Sequence, residues 1–306
     1  MKRQAKQCLA VLLALLMLFS CMPTSASALG NGDSVRISGT DDWISGFYYD
    51  WDGNFGLGGK YGQYQRLTAN GQVAYCVEPS EHLTAGTKTI QEIWSGFSEN
   101  QRKLTTAAYI YGYNGTTRYG YSDDVERAAT QAILWSIALG VLNTSKEDLF
   151  LNCAFSGNTS ATNKSNAKSV FALIKEQIIS HYTIPGFTTN RQSLASAKKL
   201  TLKYNFSTGK YEGSVTDTNG VLSGYTFSSP GVTFTRSGNT LQISTSKTLD
   251  GVTVTGERTS NTYCNALPAL VAIYCVGSDQ TTAMAINRKD PVNAYFSLET
   301  ESVGNI

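Results

Sequence analysis

The chain has 306 residues, a formal net charge of +2 and 41% apolar residues, which is enough for two ordinary domains with cores of their own. So small a net charge, with neither sign dominating any long stretch, excludes a basic nucleic-acid-binding face and a polybasic membrane patch. With only two histidines, His82 and His181, and with no paired-cysteine spacing or glycine-rich phosphate loop, the sequence carries no metal or cofactor fingerprint.

The first segment reads as an export leader over residues 1–28. Met1 to Lys6 is basic, Leu9 to Phe19 is an apolar run too short to span a bilayer, and Ala26-Ser27-Ala28 offers a small-residue cleavage site. The mature chain is expected to begin at Leu29 and to be secreted or held at the cell surface. Leu18-Phe19-Ser20-Cys21 also loosely resembles a bacterial lipoprotein box, although Phe19 fits that pattern poorly. No membrane insertion of the mature chain is expected unless Cys21 is lipidated. Beyond the leader stand four cysteines, Cys76, Cys153, Cys264 and Cys275. In an exported chain they can pair or remain buried thiols, and the sequence leaves both open.

A short strand is expected at Ser34 to Ser38, followed by an aromatic, glycine-rich block from Trp43 to Tyr64. Strands and turns with a small aromatic core account for that block; a sharper alternative is that some of its rings wall off a reactive site. Gln65 to Glu78 reads as a hairpin around Asn70-Gly71, the dipeptide that a tight primed turn requires. Alternation then places Ala74, Cys76 and Glu78 on one face of the second strand, which Pro79 ends.

Helical texture follows. Ser98 with Gln101 makes a capping box for a helix to Tyr111, closed by Gly112, and Asp123 with Glu126 suggests the same device for a helix that Gly140 stops. That second helix is apolar around most of its circumference and is expected to be buried. Gln131 lies within it. A glutamine there needs a partner, because an unsatisfied buried amide costs roughly 1 to 3 kcal/mol. Further helices are expected near Ser145 to Cys153 and from Asn166 to His181, before Ile184-Pro185-Gly186 breaks the pattern. From about Ser196 the texture changes to alternating strands at Lys199 to Phe206, Lys210 to Thr216, Val232 to Arg236, Thr240 to Ser244, Val252 to Glu257 and Ala294 to Leu298. The spacing predicts an all-β sandwich.

Cys76 at a strand end supplies a sulfur nucleophile, and Gln131 supplies a carboxamide. If the fold joins them, the sulfur can displace ammonia and leave an internal thioester that an amine would open. Trp135, one turn beyond Gln131, can shield the bond. Taken singly, each residue has an ordinary reading, a buried thiol and a hydrogen-bonded core glutamine.

Tyr75-Cys76-Val77 and Thr130-Gln131-Ala132-Ile133-Leu134-Trp135 together resemble the thioester domain of Gram-positive bacterial surface adhesins. In that family an aromatic-Cys-aliphatic strand motif gives the thiol, and a Thr-Gln helix motif ending in Trp gives the acyl group. The family has Ala then Ile directly before Trp, where this chain has Ile133 and Leu134. The resemblance implies a multidomain chain: an α+β thioester domain with a small β-sheet and a helical part over 34–185, then an all-β, Ig-like sandwich over 196–300. It implies a Cys76–Gln131 cross-link supported by Tyr75, Thr130 and Trp135, with no cofactor. It further implies an adhesin that reacts once, without turnover, with a lysine on a host surface or matrix protein. Wall-anchored members end in a sorting signal absent from Glu301 to Ile306, so a fragment, lipid attachment at Cys21 or release all remain open. From other classes, Cys76 can serve a cysteine hydrolase or transglutaminase-like enzyme with His82 or His181 as base, or be structural in a non-covalent surface binding protein.

Overall fold

The computed structural model describes residues 29–79, 81–261 and 264–302. The expected leader, with Cys21, lies outside the described residues. The chain first forms β1 (Ser34–Ser38), β2 (Trp43–Asp50), β3 (Tyr61–Gln65), β4 (Thr68–Ala69), β5 (Gln72–Cys76) and β6 (Gly86–Gln91). Four helices follow, α1 (Glu99–Tyr111), α2 (Asp123–Ala138), α3 (Glu147–Ala154) and α4 (Ala161–His181). The remaining strands are β7 (Lys199–Asn205), β8 (Lys210–Thr216), β9 (Tyr225–Ser228), β10 (Val232–Ser237), β11 (Thr240–Thr245), β12 (Val252–Arg258), β13 (Leu270–Val276), β14 (Thr282–Asn287) and β15 (Asn293–Thr300).

Local chemistry sets most boundaries where the sequence places them. Asn70 and Gly71 both hold positive φ, 49° and 80°, as the primed turn between β4 and β5 demands. Ser98 and Gln101 make the full reciprocal capping box on α1, and Gly112 is its C-cap. Two helices start differently from expectation. The N-cap of α2 is Ser122, whose hydroxyl accepts from the Val125 N–H, so Asp123 is the first helical residue. Glu126 is released from capping and instead accepts from the backbone N–H groups of Arg118, Tyr119 and Tyr121 at 2.7, 2.8 and 3.4 Å. α4 begins at Ala161, ahead of the expected Asn166, because Ser160 caps it through the Asn163 N–H.

The larger correction concerns the division of the chain. β1, β4, β5, β14, β13 and β6 close into an antiparallel six-stranded barrel. Residues 270–287, assigned from sequence to a separate sandwich over 196–300, therefore return to the first half and pair with the strand that bears Cys76. β13 reads Leu-Val-Ala-Ile-Tyr-Cys-Val, nearly continuous rather than alternating, which fits a strand covered on both sides. α1 packs on it, with the Thr106 hydroxyl accepting from the Ala272 N–H at 3.2 Å. Helices and barrel share one core, which includes Ile37, Tyr75, Ile133, Trp135, Phe171 and Ile273.

β2 and β3 pair with each other as a separate two-stranded sheet, and the remaining seven strands form a single sheet in the order β10-β11-β8-β7-β15-β12-β9. β7 joins its halves, running parallel to β15 over 199–202 and antiparallel to β8 over 203–205. The edge strands approach each other, with Phe227 and Phe234 rings 6.1 Å apart, so the sheet curls over Leu202, Ile243, Val254 and Phe296. An all-β lobe is thus present, as one continuous sheet in place of two separate ones. None of the four described cysteines is in a disulfide, and no described helix is long and apolar enough to cross a membrane.

The two lobes meet at the end of α4. Arg258 donates to the carbonyls of Ser180 and Thr183 at 2.8 and 3.1 Å, and the Tyr182 hydroxyl donates to Asp290 at 2.9 Å. His181 is buried between them with Nδ1 2.6 Å from the Tyr111 hydroxyl. Burial, followed by the charge of Arg258, pushes its pKa from 6.5 down to about 3. Between those values the unfolded chain binds a proton that the folded chain refuses, so stability rises with pH through this window and is full above 6.5. Denaturant unfolding followed from pH 3 to 7 is expected to show that slope, and His181→Phe to flatten it.

Candidate functional site

β5 delivers Cys76 to the rim of the barrel, in register with Thr282 of β14. The strand is fixed on both edges, by β4 through the Asn70-Gly71 turn and by β14, so the cysteine backbone has little freedom. α2 lies beside it, held by two arginines. Arg66 makes a bidentate pair with Asp124 at 2.8 Å to each oxygen, while the buried Arg127 donates to the Leu67 carbonyl at 3.2 Å and stacks over the Tyr113 ring. Acidic residues in the first turn of α2, Asp123, Asp124 and Glu126, suit the positive end of its dipole.

This docking joins residues 76 and 131. The Gln131 Oε1 accepts the Cys76 N–H at 3.1 Å and its Nε2 donates to the Cys76 carbonyl at 2.7 Å. The carboxamide of a buried glutamine is thereby satisfied on both sides by the backbone of one cysteine. The same clasp has chemical meaning. It fixes the amide carbon against residue 76, and it aims an N–H at the oxygen that would carry negative charge if sulfur attacked that carbon.

A cavity of about 30 Å³ opens beside the pair, lined by Tyr49, Gln63, Tyr64, Gln65, Cys76, Glu81, Gln131, Trp135 and Gln280. One water needs roughly 10 to 15 Å³ by the same measure, so there is room for an amine-sized group and little more. Trp135 forms the wall, its ring 5.1 Å from those of Tyr49 and Tyr64 and 5.7 Å from that of Trp51. Two rings of the aromatic block, Tyr49 and Tyr64, thus line the cavity.

Burial pushes the Cys76 thiol up to about 12, against a smaller opposing pull from the Lys88 ammonium. The sulfur is protonated at neutral pH, unlike a stored thiolate nucleophile. Burial and then the nearby Cys76 sulfur also raise Tyr49. Lys88 is itself buried, in contact with the Asp279 carboxylate and 2.5 Å from the Gln280 carbonyl. That contact holds Gln280 at the cavity although it lies far along the chain. Among the described residues no cluster of histidine, cysteine and carboxylate groups could hold a metal ion.

The other residues named from sequence fall behind the site. Tyr75 points away from the cavity; its hydroxyl donates to the Tyr113 carbonyl at 2.7 Å and its ring packs edge-on to Tyr109. Thr130 is fully buried, donates to the Glu126 carbonyl and accepts from the Tyr113 N–H, both at 2.8 Å. Both position the turn after α1, and neither lines the cavity. His82 is exposed and its carbonyl accepts from Gln280, while His181 lines a different cavity at the lobe junction. Sequence reasoning missed Gln63, Gln65, Glu81 and Gln280. Alternation along β3 carries a signal for the first two, since Gln63 and Gln65 share a face, and no local pattern points to Gln280.

Comparison with known proteins bears on the same part of the chain. Residues 73–181 match the thioester domain family. The match spans Cys76, Gln131 and all four helices. Among solved structures, the thioester domain of the Staphylococcus aureus TIE protein superposes with a TM-score of 0.55 at 17% identity, covering 88% of this chain and 99% of that one. That coverage extends well past residues 34–185, so the fold similarity to a solved thioester domain includes the seven-stranded lobe. No curated protein sequence matches this chain.

Proposed function

We propose that the protein is an exported, cell-surface adhesin whose Cys76 and Gln131 form an internal thioester, and that a lysine on a host surface or matrix protein opens it to give a covalent amide. The observation that carries this is the two-point clasp between the Gln131 carboxamide and the Cys76 backbone. In thioester formation the Cys76 sulfur bonds to Gln131 Cδ, the C–N bond breaks, and the thiol proton leaves with the nitrogen as ammonia. The Cys76 N–H faces the oxygen that bears charge on the way. Proximity substitutes for an activated thiolate, since positioned groups reach effective molarities of about 10⁵ M or more. A thiol pushed up to about 12 makes self-acylation slow, which a reaction needed once per molecule tolerates.

The target amine then attacks Gln131 Cδ, and the C–S bond breaks to restore the Cys76 thiol. Each molecule acts once, as a covalent binder without turnover and with no cofactor. Neither histidine lines the Cys76 cavity, so the geometry favours no hydrolase or transglutaminase-like reading. Incubation with methylamine is expected to add one amine per chain at Gln131 and to release one thiol at Cys76, read by peptide mass and thiol titration. Methylamine incorporation elsewhere, or none with both side chains unchanged, would refute the proposal.

A further inference from the structure

Among the described residues that line the Cys76–Gln131 cavity, Glu81 alone carries a formal charge; Gln63, Gln65 and Gln280 are neutral amides. Glu81 stands at the solvent side, its side chain 62% exposed, with the Lys60 ammonium 4.0 Å from its carboxylate. The backbone around it is tied down. Val77 N–H donates to the Thr281 carbonyl at 3.2 Å, Glu81 N–H to the Glu78 carbonyl at 3.4 Å, and Gln280 N–H to the His82 carbonyl at 3.2 Å. These bonds fix the Glu81 backbone beside the mouth, and its side chain lines the cavity.

We propose that Glu81 is the specificity-determining residue of the site, selecting cationic primary amines over neutral nucleophiles; this rests on the thioester reading given above. Lys60 demonstrates that an ammonium fits beside Glu81 at this place. An exposed pair of this kind is weak, so an incoming lysine can exchange with Lys60. The ammonium drawn to Glu81 loses one proton to water at the mouth, and the freed lone pair attacks Gln131 Cδ. The C–N bond forms, the C–S bond breaks with its electron pair on sulfur, and a second nitrogen proton ends on sulfur. The products are a secondary amide at position 131 and the Cys76 thiol. Water and weakly basic amines gain nothing from the carboxylate.

The test compares two amines on the whole protein: Nα-acetyl-lysine methylamide, cationic at neutral pH, and methoxyamine, which is uncharged there. Adduct formation at Gln131 is followed by intact mass. Glu81→Gln is expected to lower the ratio of cationic to neutral rates about tenfold, the scale of electrostatic attraction in a charged cleft, and Glu81→Asp to restore most of it. Equal loss of both rates in Glu81→Gln, or an unchanged ratio, would overturn the assignment and leave the thioester standing. A wild-type chain of full mass that forms no adduct with either amine would instead remove the thioester itself, and the assignment with it.

Discussion

Cys76→Ala will abolish amine coupling while leaving a folded protein. The side chain is small and 5% exposed, so removing its sulfur costs about 1 kcal/mol, and the Gln131 clasp survives because it is made to the backbone of residue 76. Coupling requires the sulfur itself; the tyrosine hydroxyls of Tyr49 and Tyr64 that share the cavity are both raised above their ordinary range by burial. Cys153→Ala is the matched control: that thiol contacts the Asn54 amide at 3.6 Å and lies outside the cavity. Mass spectrometry after methylamine treatment separates the two. Retained labelling at Gln131 in Cys76→Ala would show that the sulfur is not the acyl carrier.

Trp135→Ala is expected to cause the largest loss of stability and to expose the thioester to water. The indole packs against Tyr49, Tyr64 and Trp51, and its removal from so well filled a site costs about 3 to 5 kcal/mol. The same change joins the small cavity to the space the ring leaves, so water reaches the acyl carbon and hydrolysis converts Gln131 to a glutamate. Trp135→Phe separates the two effects. Among the described residues the indole N–H has no hydrogen-bond partner, so phenylalanine forfeits no bond to them, keeps most of the wall and should keep most of the coupling. Peptide mass at position 131 and denaturant unfolding read the two effects independently. A hydrolysis rate in Trp135→Ala equal to wild type would show that the ring does not guard the bond.

Much of this was legible in the chain because it is local. Caps at Ser98 and Gly112, the Asn70-Gly71 turn and the alternation of β7, β8, β10, β11 and β12 are short-range facts, and the structure repeats them with small shifts. Cys76 and Gln131 were legible for the same reason, each standing within a motif on one element. The return of β13 and β14 into the barrel was not. Their apolar runs are covered on both faces, so they lack the alternation that marks a half-buried strand, and pairing between residues 76 and 282 leaves no trace in periodicity. That one topological fact also hid Gln280, which reaches the site only because β14 lies beside β5. Glu126 misled in a different way. Its spacing from Asp123 suits a capping box, yet three backbone donors of the preceding loop compete for its carboxylate and win.

The most direct test is the intact mass of the unreduced protein, with fragmentation of the peptides that contain residues 76 and 131. The thioester account predicts a mass short by one ammonia and a cross-linked pair joining Cys76 to Gln131. A full mass, with Gln131 an unmodified glutamine and Cys76 a free thiol after unfolding, would contradict it.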